Sequence, residues 1–326
     1  MKAAMDSNER VEIPIDDRYA DGRPDHESLI SGRTLASTIT HYRYENGRRY
    51  HAFRDGEYWQ PNDEQSNDHE ALTHHLMLLT LDNQLYLAPI QNPKRIIDIG
   101  TGTGIWAIDM GDKFPNAEII GTDLSPIQAE DKPPNVHFEV DDCVSEWTYP
   151  KDHFDFVHIR VLMASIPDWP ALYKQCYDHL VPGGYLEQLE CSVHIQGTGP
   201  PLPTSSVFHR WTAAFYSASD HFGKTMRICE EMATKIRDAG FVDVVEKRFV
   251  WPLGPWSSDP KLKELGRWNL LNWEEGMEGW VMALYTRQLK WSYEEVQDFL
   301  GQVRKELRDR KTHVWQEYRA VYARKP

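Results

Sequence analysis

Residues 95–104 read RIIDIGTGTG. Ile96, Ile97 and Ile99 form a short apolar run bounded by turn residues, the pattern of a strand buried on both faces of a parallel sheet. Asp98 stands near its end, Gly100, Gly102 and Gly104 follow, and Ile105-Trp106-Ala107-Ile108 opens a helix. Glycine suits this turn because a side chain would hold the backbone away from a ligand and because a tight turn demands positive φ. The helix behind it presents N–H groups without intrahelical partners. The stretch reads as the strand, loop and helix of a nucleotide-type cofactor site.

Spacing narrows the cofactor. The dinucleotide fingerprint G-x-G-x-x-G needs glycine at 105, where this chain has Ile105. The next apolar run, Ile119 to Asp123, ends about 20 residues on in a carboxylate placed to bind both ribose hydroxyls. A third run, Val136 to Val140, is followed by Asp141-Asp142, placed to accept from an adenine amino group. Three successive acid-tipped strands favour an adenosine without pyrophosphate, hence S-adenosylmethionine (SAM). The cofactor set is Asp98, Gly100, Thr101, Gly102, Gly104, Asp123, Leu124, Asp141, Asp142, Cys143 and His158. Within it, Asp98 is read as ordering the glycine loop through backbone N–H groups. Strand alternation would send Asp141 and Asp142 to opposite sides, with Asp142 the one for adenine.

The segments DIGTGTGIWAID, GTDLSPIQ, PPNVHFEVDD, FDFVHIR, DWPALY and PGGYLEQLE resemble the fungal LaeA-like (UMTA) branch of the class I SAM-dependent methyltransferases. The likeness extends to YRYENGRRYHAFRDGEYWQPND at 42–63, GPWSSDPKLKELGRWN at 254–269 and the closing VYARKP, nearly the whole chain beyond the first 35 or so residues. It implies an α/β fold with a Rossmann-like doubly wound sheet of seven strands, the last antiparallel. It implies SAM as cofactor and says little about the acceptor.

Composition sets limits. The 326 residues carry 36 basic and 50 acidic side chains, a net charge of −14, which offers no basic footprint for a phosphate backbone. Nucleic acid is therefore not expected as substrate. The four cysteines, Cys143, Cys176, Cys191 and Cys229, form no C-x-x-C pair and fit neither a zinc site nor a disulfide scaffold. No apolar run approaches the ~20 residues of a spanning helix, and Met1 to Asp25 lacks a signal-peptide core. A cytoplasmic protein is expected, or a nuclear one if its role is regulatory.

Five segments are expected: a flexible polar tail over 1–35, a helical arm over 36–90, the SAM-binding core over 91–250, a helical lid over 251–310 and a final core strand over 311–326. Leu72, Leu76, Leu79 and Leu81 give the arm its helical spacing. Tyr42, Arg48, Arg49 and Tyr50 either touch cofactor or substrate, or pack and pair at the surface. Core strands are placed near 95–99, 118–122, 136–140, 154–159, 184–190 and 242–250, with helices between, an alternation that means a parallel sheet with right-handed crossovers. Asp168, Asp259-Pro260 and the Ser292/Glu295 capping box mark helix starts in this half of the chain.

Methyl transfer from a sulfonium is an in-line displacement, so the protein has mainly to hold the reactants close, aligned and dry. A base helps when the acceptor is a hydroxyl or a protonated amine. The catalytic candidates are His158 and Arg160, after the fourth strand. His158 is read as a base or as a histidine packed under the cofactor. Arg160 is read as a cation that binds a carboxylate of SAM or substrate, or as the partner of Asp155 or a neighbouring acid. Glu187, Glu190 and His194 are further candidates, His74-His75 does not converge on a metal, and no metal site is expected. Trp256, Trp268, Trp273, Trp280, Tyr285 and Trp291 in the insertion either build a pocket for a flat apolar acceptor or belong to the core. The fourth strand lacks the Asn/Asp-Pro-Pro-aromatic signature of amino-group methyltransferases acting on nucleobases or glutamine. A small-molecule acceptor is expected. The alternatives are a LaeA-like regulator acting through nuclear protein partners and, further off, an NAD-dependent oxidoreductase.

Overall fold

The computed structural model describes residues 42–326 together with Ala4 and Met5. Apart from these two, the tail expected over 1–35 lies outside the described residues, as does the arm before residue 42. The elements in chain order are β1 (Ala4–Met5), β2 (Arg43–Glu45), β3 (Arg48–Tyr50), α1 (Glu64–Thr80), β4 (Arg95–Ile99), α2 (Ile105–Lys113), β5 (Glu118–Asp123), β6 (Val136–Val140) and β7 (Phe154–Arg160). They continue as α3 (Trp169–His179), β8 (Leu180–Gly197), α4 (Val207–Phe222), α5 (Ile228–Asp238), β9 (Val242–Pro252), α6 (Pro260–Leu284), a π-helical turn (Tyr285–Leu289), α7 (Tyr293–Leu307) and β10 (Val314–Arg324).

The main sheet runs β1-β9-β10-β8-β7-β4-β5-β6. Strands β4 to β8 pair in parallel, and β10 lies antiparallel between β8 and β9. These seven strands, with the last one antiparallel, meet the expectation; Ala4–Met5 adds a short antiparallel edge strand beside β9. Alternation along the strands builds a core on each face. Ile96, Ile119 and Phe156 pack with Trp106, Ala107 and Met110 of α2. Their neighbours Ile97, Ile120 and Val157 join the cluster that holds Leu172 and Cys176 of α3 and Met232 and Ile236 of α5. Strand order reverses at β4, which has β5 on one side and β7 on the other. That reversal opens a crevice at the carboxyl ends of the strands.

The arm differs from the expectation in its first part. Arg43 to Tyr50 is a β-hairpin, because Asn46 and Gly47 take the positive φ pair (50° and 76°) of a two-residue turn. The helix starts only at Glu64, capped by Asp63, whose Oδ1 accepts the Ser66 amide at 3.1 Å. Arg48 grips the same carboxylate at 2.6 and 2.7 Å and so ties hairpin to helix. The insertion between β9 and β10 is helical: Asp259 caps α6 through the Leu262 amide at 2.9 Å, and Ser292 and Glu295 form the reciprocal box at α7, at 2.7 and 3.1 Å. Among the described residues no helix is long and apolar enough to cross a membrane.

Candidate functional site

The turn after β4 is a cradle. Gly100 and Gly102 have φ of +68° and +57°, a region that side-chain-bearing residues avoid. A Cβ on Gly102 would lie 2.4 Å from the Glu70 carboxylate, and one on Gly100 would lie 2.5 Å from Leu162. The Thr101 amide donates to the Thr122 carbonyl at 2.9 Å, and the Gly102 amide to Asp123 Oδ2 at 2.9 Å. The loop is thus laced to the tip of β5.

Asp123 also accepts the Ser125 amide at 2.9 Å, and burial pushes its pKa up to about 7. At the tip of β6, Asp142 accepts the Val144 amide at 3.2 Å and pairs with Arg54 at 3.3 Å. Burial raises the Cys143 thiol to about 12, which keeps it protonated. Gly100, Thr101, Gly102, Asp123, Leu124, Asp141, Asp142, Cys143 and Arg160 all line one pocket at the carboxyl ends of β4 to β7. Asp141 and Asp142 share its wall because β6 stops at Val140, so the alternation expected to separate them no longer applies.

Arg160 does not pair with Asp155, whose carboxylate accepts the Lys94 and Arg95 amides at 2.7 and 2.8 Å. Its Nη1 donates to His74 Nδ1 at 3.1 Å, and His74 Nε2 donates to Asp109 at 3.0 Å. Burial lowers the Arg160 pKa, yet a guanidinium stays cationic in proteins. Arg160 is therefore a braced positive charge on the wall.

His158 takes the packed position, the second of its two expected readings, and departs from its place in the cofactor set. Its ring is 1% exposed, stacks on Trp106 at 3.7 Å with 4° between the planes, and donates Nδ1–H to Asp98 at 2.7 Å. Burial lowers its pKa, so the ring is neutral, and it lies behind the pocket wall rather than on it. It lines a small space under α2 with Trp106 and Arg160, not the main pocket. Asp98 is likewise off the wall; it orders the loop through the Thr101 hydroxyl at 2.6 Å, not through backbone N–H groups. Gly104 serves as the left-handed N-cap of α2, with the Phe138 ring where its Cβ would be.

Of the arm candidates, Arg48 bonds Asp63, Arg49 covers the Tyr42 ring at 4.8 Å and Tyr50 lies under Arg287 at 4.7 Å; none lines the pocket. Glu187 accepts the Leu87 and Ala88 amides at 2.8 and 2.6 Å, Glu190 accepts the Leu162 amide at 3.0 Å, and His194 is exposed. The residues that the sequence did not single out come from the arm, from α4 and from the connection after it. Glu70 accepts the Thr103 amide at 2.7 Å. Tyr58, His69, Lys224 and Trp211 stand on the same wall, joined by Trp273 and Trp280 of α6.

A methyltransferase-domain profile matches residues 72–244, more than half of the chain. The chain belongs to that family. This methyltransferase is 38% identical over 328 aligned residues to methyltransferase pytC of Aspergillus terreus, with 100% of this chain and 99% of pytC covered. It is 37% identical to the secondary metabolism regulator LAE1 of Cochliobolus heterostrophus, over 86% of this chain and 94% of LAE1. It is 30% identical to the protein-methionine methyltransferase laeA of Emericella nidulans, over 94% and 81% of the two chains. The methyltransferase therefore lies in the LaeA-like branch and depends on SAM. A solved structure of phosphoethanolamine N-methyltransferase 2 from Haemonchus contortus with SAM aligns with 83% of this chain and 54% of its own, at 18% identity and a TM-score of 0.45.

Proposed function

We propose that this methyltransferase transfers a methyl group to an oxygen or nitrogen of a small-molecule acceptor in fungal secondary metabolism. One observation carries the reading. A single pocket joins the glycine cradle and acid-tipped strands at one end to Trp211, Phe215, Trp273 and Trp280 at the other. SAM supplies an electrophilic methyl group on a positively charged sulfur. Asp123 and Asp142 would hold its ribose and adenine, while the cradle, Glu70 and Arg160 would hold the amino-acid end, with ammonium and carboxylate facing groups of opposite sign. The aromatic end offers large rigid faces to a flat apolar acceptor and excludes water from the reacting atoms. Helix α6 supplies two of these rings and acts as a lid over the strand ends.

The acidic charge speaks against nucleic acid as substrate. The cytoplasm is the matching location. A second reading, a nuclear regulator that works through protein partners, is favoured by the 37% identity to LAE1. The test incubates the purified protein with radiolabelled SAM and, in parallel, a mixture of small phenols and amines or a nuclear protein extract. Label in the small molecules supports the first reading, and label confined to protein supports the second. Calorimetry that detects NAD but not SAM would end both.

A further inference from the structure

With His158 behind the wall, the pocket still contains an imidazole. His69 precedes Glu70 on α1, so the two side chains leave the helix about 100° apart. Glu70 turns to the glycine loop. His69 turns to α6, where its Nε2 lies 3.2 Å from the main-chain oxygen of Asn272 and its ring meets Trp280 at 5.5 Å in an edge contact. Both residues and Trp280 line the same pocket. His69 thus stands at the join between the cofactor end and the aromatic end.

A carbonyl oxygen only accepts, so the Asn272 contact fixes the hydrogen on Nε2 and leaves the lone pair on Nδ1. The room for this ring is built in. A Cβ at position 276 would come 2.4 Å from His69 Nε2 and 2.6 Å from the Trp280 ring, and α6 has glycine there.

Resting on the oxygen or nitrogen acceptor proposed above, we infer that His69 is the catalytic base, whose Nδ1 takes the acceptor's proton as the methyl group moves. The acceptor's O–H or N–H bond breaks and its proton goes to Nδ1. The acceptor lone pair forms the new bond to the methyl carbon, and the carbon–sulfur bond breaks with its electron pair left on sulfur. The imidazolium then returns its proton to water. Total charge in the pocket is conserved, because the positive charge lost at sulfur is regained on the ring.

Burial lowers the His69 pKa to about 4, with the Arg48 charge acting in the same direction. The ring is therefore neutral, with its lone pair available, before transfer. The other charged groups on this pocket are Glu70 of α1 itself, Glu57 before it, Arg160 of β7, Asp123 of β5, Asp141 and Asp142 after β6, and Lys224 between α4 and α5, and Arg48 is balanced by Asp63 and Glu278.

The test compares wild type with His69→Gln, using 4-methoxyphenol, which is protonated near neutral pH, and 4-nitrothiophenol, which is already ionised. The variant should lose roughly 10²–10⁴-fold in turnover of the phenol, keep thiolate turnover within a few-fold, and bind S-adenosylhomocysteine as wild type does. Equal phenol turnover in the two proteins overturns the assignment; so does an equal loss with both probes. Nitrogen NMR of the S-adenosylhomocysteine complex needs no acceptor and should show His69 as the neutral Nε2–H tautomer. An Nδ1–H tautomer, or an imidazolium near neutral pH, overturns the assignment as well. A wild type that binds S-adenosylhomocysteine yet methylates neither probe counts against the small-molecule reading, and the tautomer then decides for His69.

Discussion

Glu70 accepts the Thr103 amide at 2.7 Å, a bond that fastens the arm helix to the loop between β4 and α2. The same carboxylate fills the space that a side chain on Gly102 would need. The arm is therefore part of the cradle wall. Burial raises the Glu70 pKa, and Glu70 shares the pocket wall with Arg160, so on the proposed SAM placement the two would face its amino-acid end.

Glu70→Gln removes the negative charge but keeps the shape. A hydrogen bond to a charged group is worth about 1.5–3 kcal/mol, so calorimetry should show SAM and S-adenosylhomocysteine binding some ten- to a hundredfold more weakly. Affinity equal to wild type would mean that Glu70 only anchors the loop.

Gly102→Ala acts on the same contact from the other side. A left-handed alanine costs about 1–2 kcal/mol, and its methyl group would displace the Glu70 carboxylate. The two substitutions should therefore couple: adding Glu70→Gln to Gly102→Ala should lower SAM affinity far less than Glu70→Gln does in wild type. Strict additivity in the double-mutant cycle would show that the two residues act independently.

Much of this was legible in the chain because it depends on local pattern. The apolar runs at 95–99, 119–123 and 136–140 alternate with helix signals, and parallel strands must then be joined by crossovers. The caps at Asp168, Asp259 and Ser292 are side-chain bonds within three residues, so sequence alone expresses them. The hairpin at 43–50 carries its own mark, Asn46-Gly47, though a two-residue turn signal between such short strands is weak without the Arg48–Asp63 tie to α1. His158 could not be placed, because the carboxyl end of β7 faces both the pocket and the bed under α2. Only the position of Trp106, distant in sequence, decides between them. His69 and Glu70 gave no signal, since a polar pair on a helix reads as a solvated face until α6 is known to pack over it.

Glu187 predicts a pH dependence of stability. Its carboxylate is fully buried on two backbone amides, and burial pushes its pKa up to about 7. The folded pKa lies above the unfolded one, so the folded state binds the extra proton. Its stabilising contribution is complete below the unfolded pKa, about 4.3, and is lost as pH rises through about 7. Between about pH 5.5 and pH 8 this one group should cost wild type about 2 kcal/mol, a loss that Glu187→Gln cannot show. Urea unfolding of both proteins at the two pH values checks it. Parallel pH profiles would mean that Glu187 titrates normally.

His158→Ala should damage the fold rather than the chemistry. The substitution removes a ring stacked on Trp106 at 3.7 Å and deprives Asp98, 3% exposed, of its Nδ1–H donor at 2.7 Å. A cavity together with a carboxylate short of a partner should cost about 2–4 kcal/mol. The melting temperature should drop by several degrees. Turnover per folded molecule should fall only as far as Asp98 loosens Thr101 and with it the glycine loop, so SAM affinity and turnover should decline together. His158→Gln, whose amide can still donate to Asp98, should recover part of both. A variant that melts with wild type yet fails to transfer the methyl group would return His158 to the role of base and would displace His69 from it.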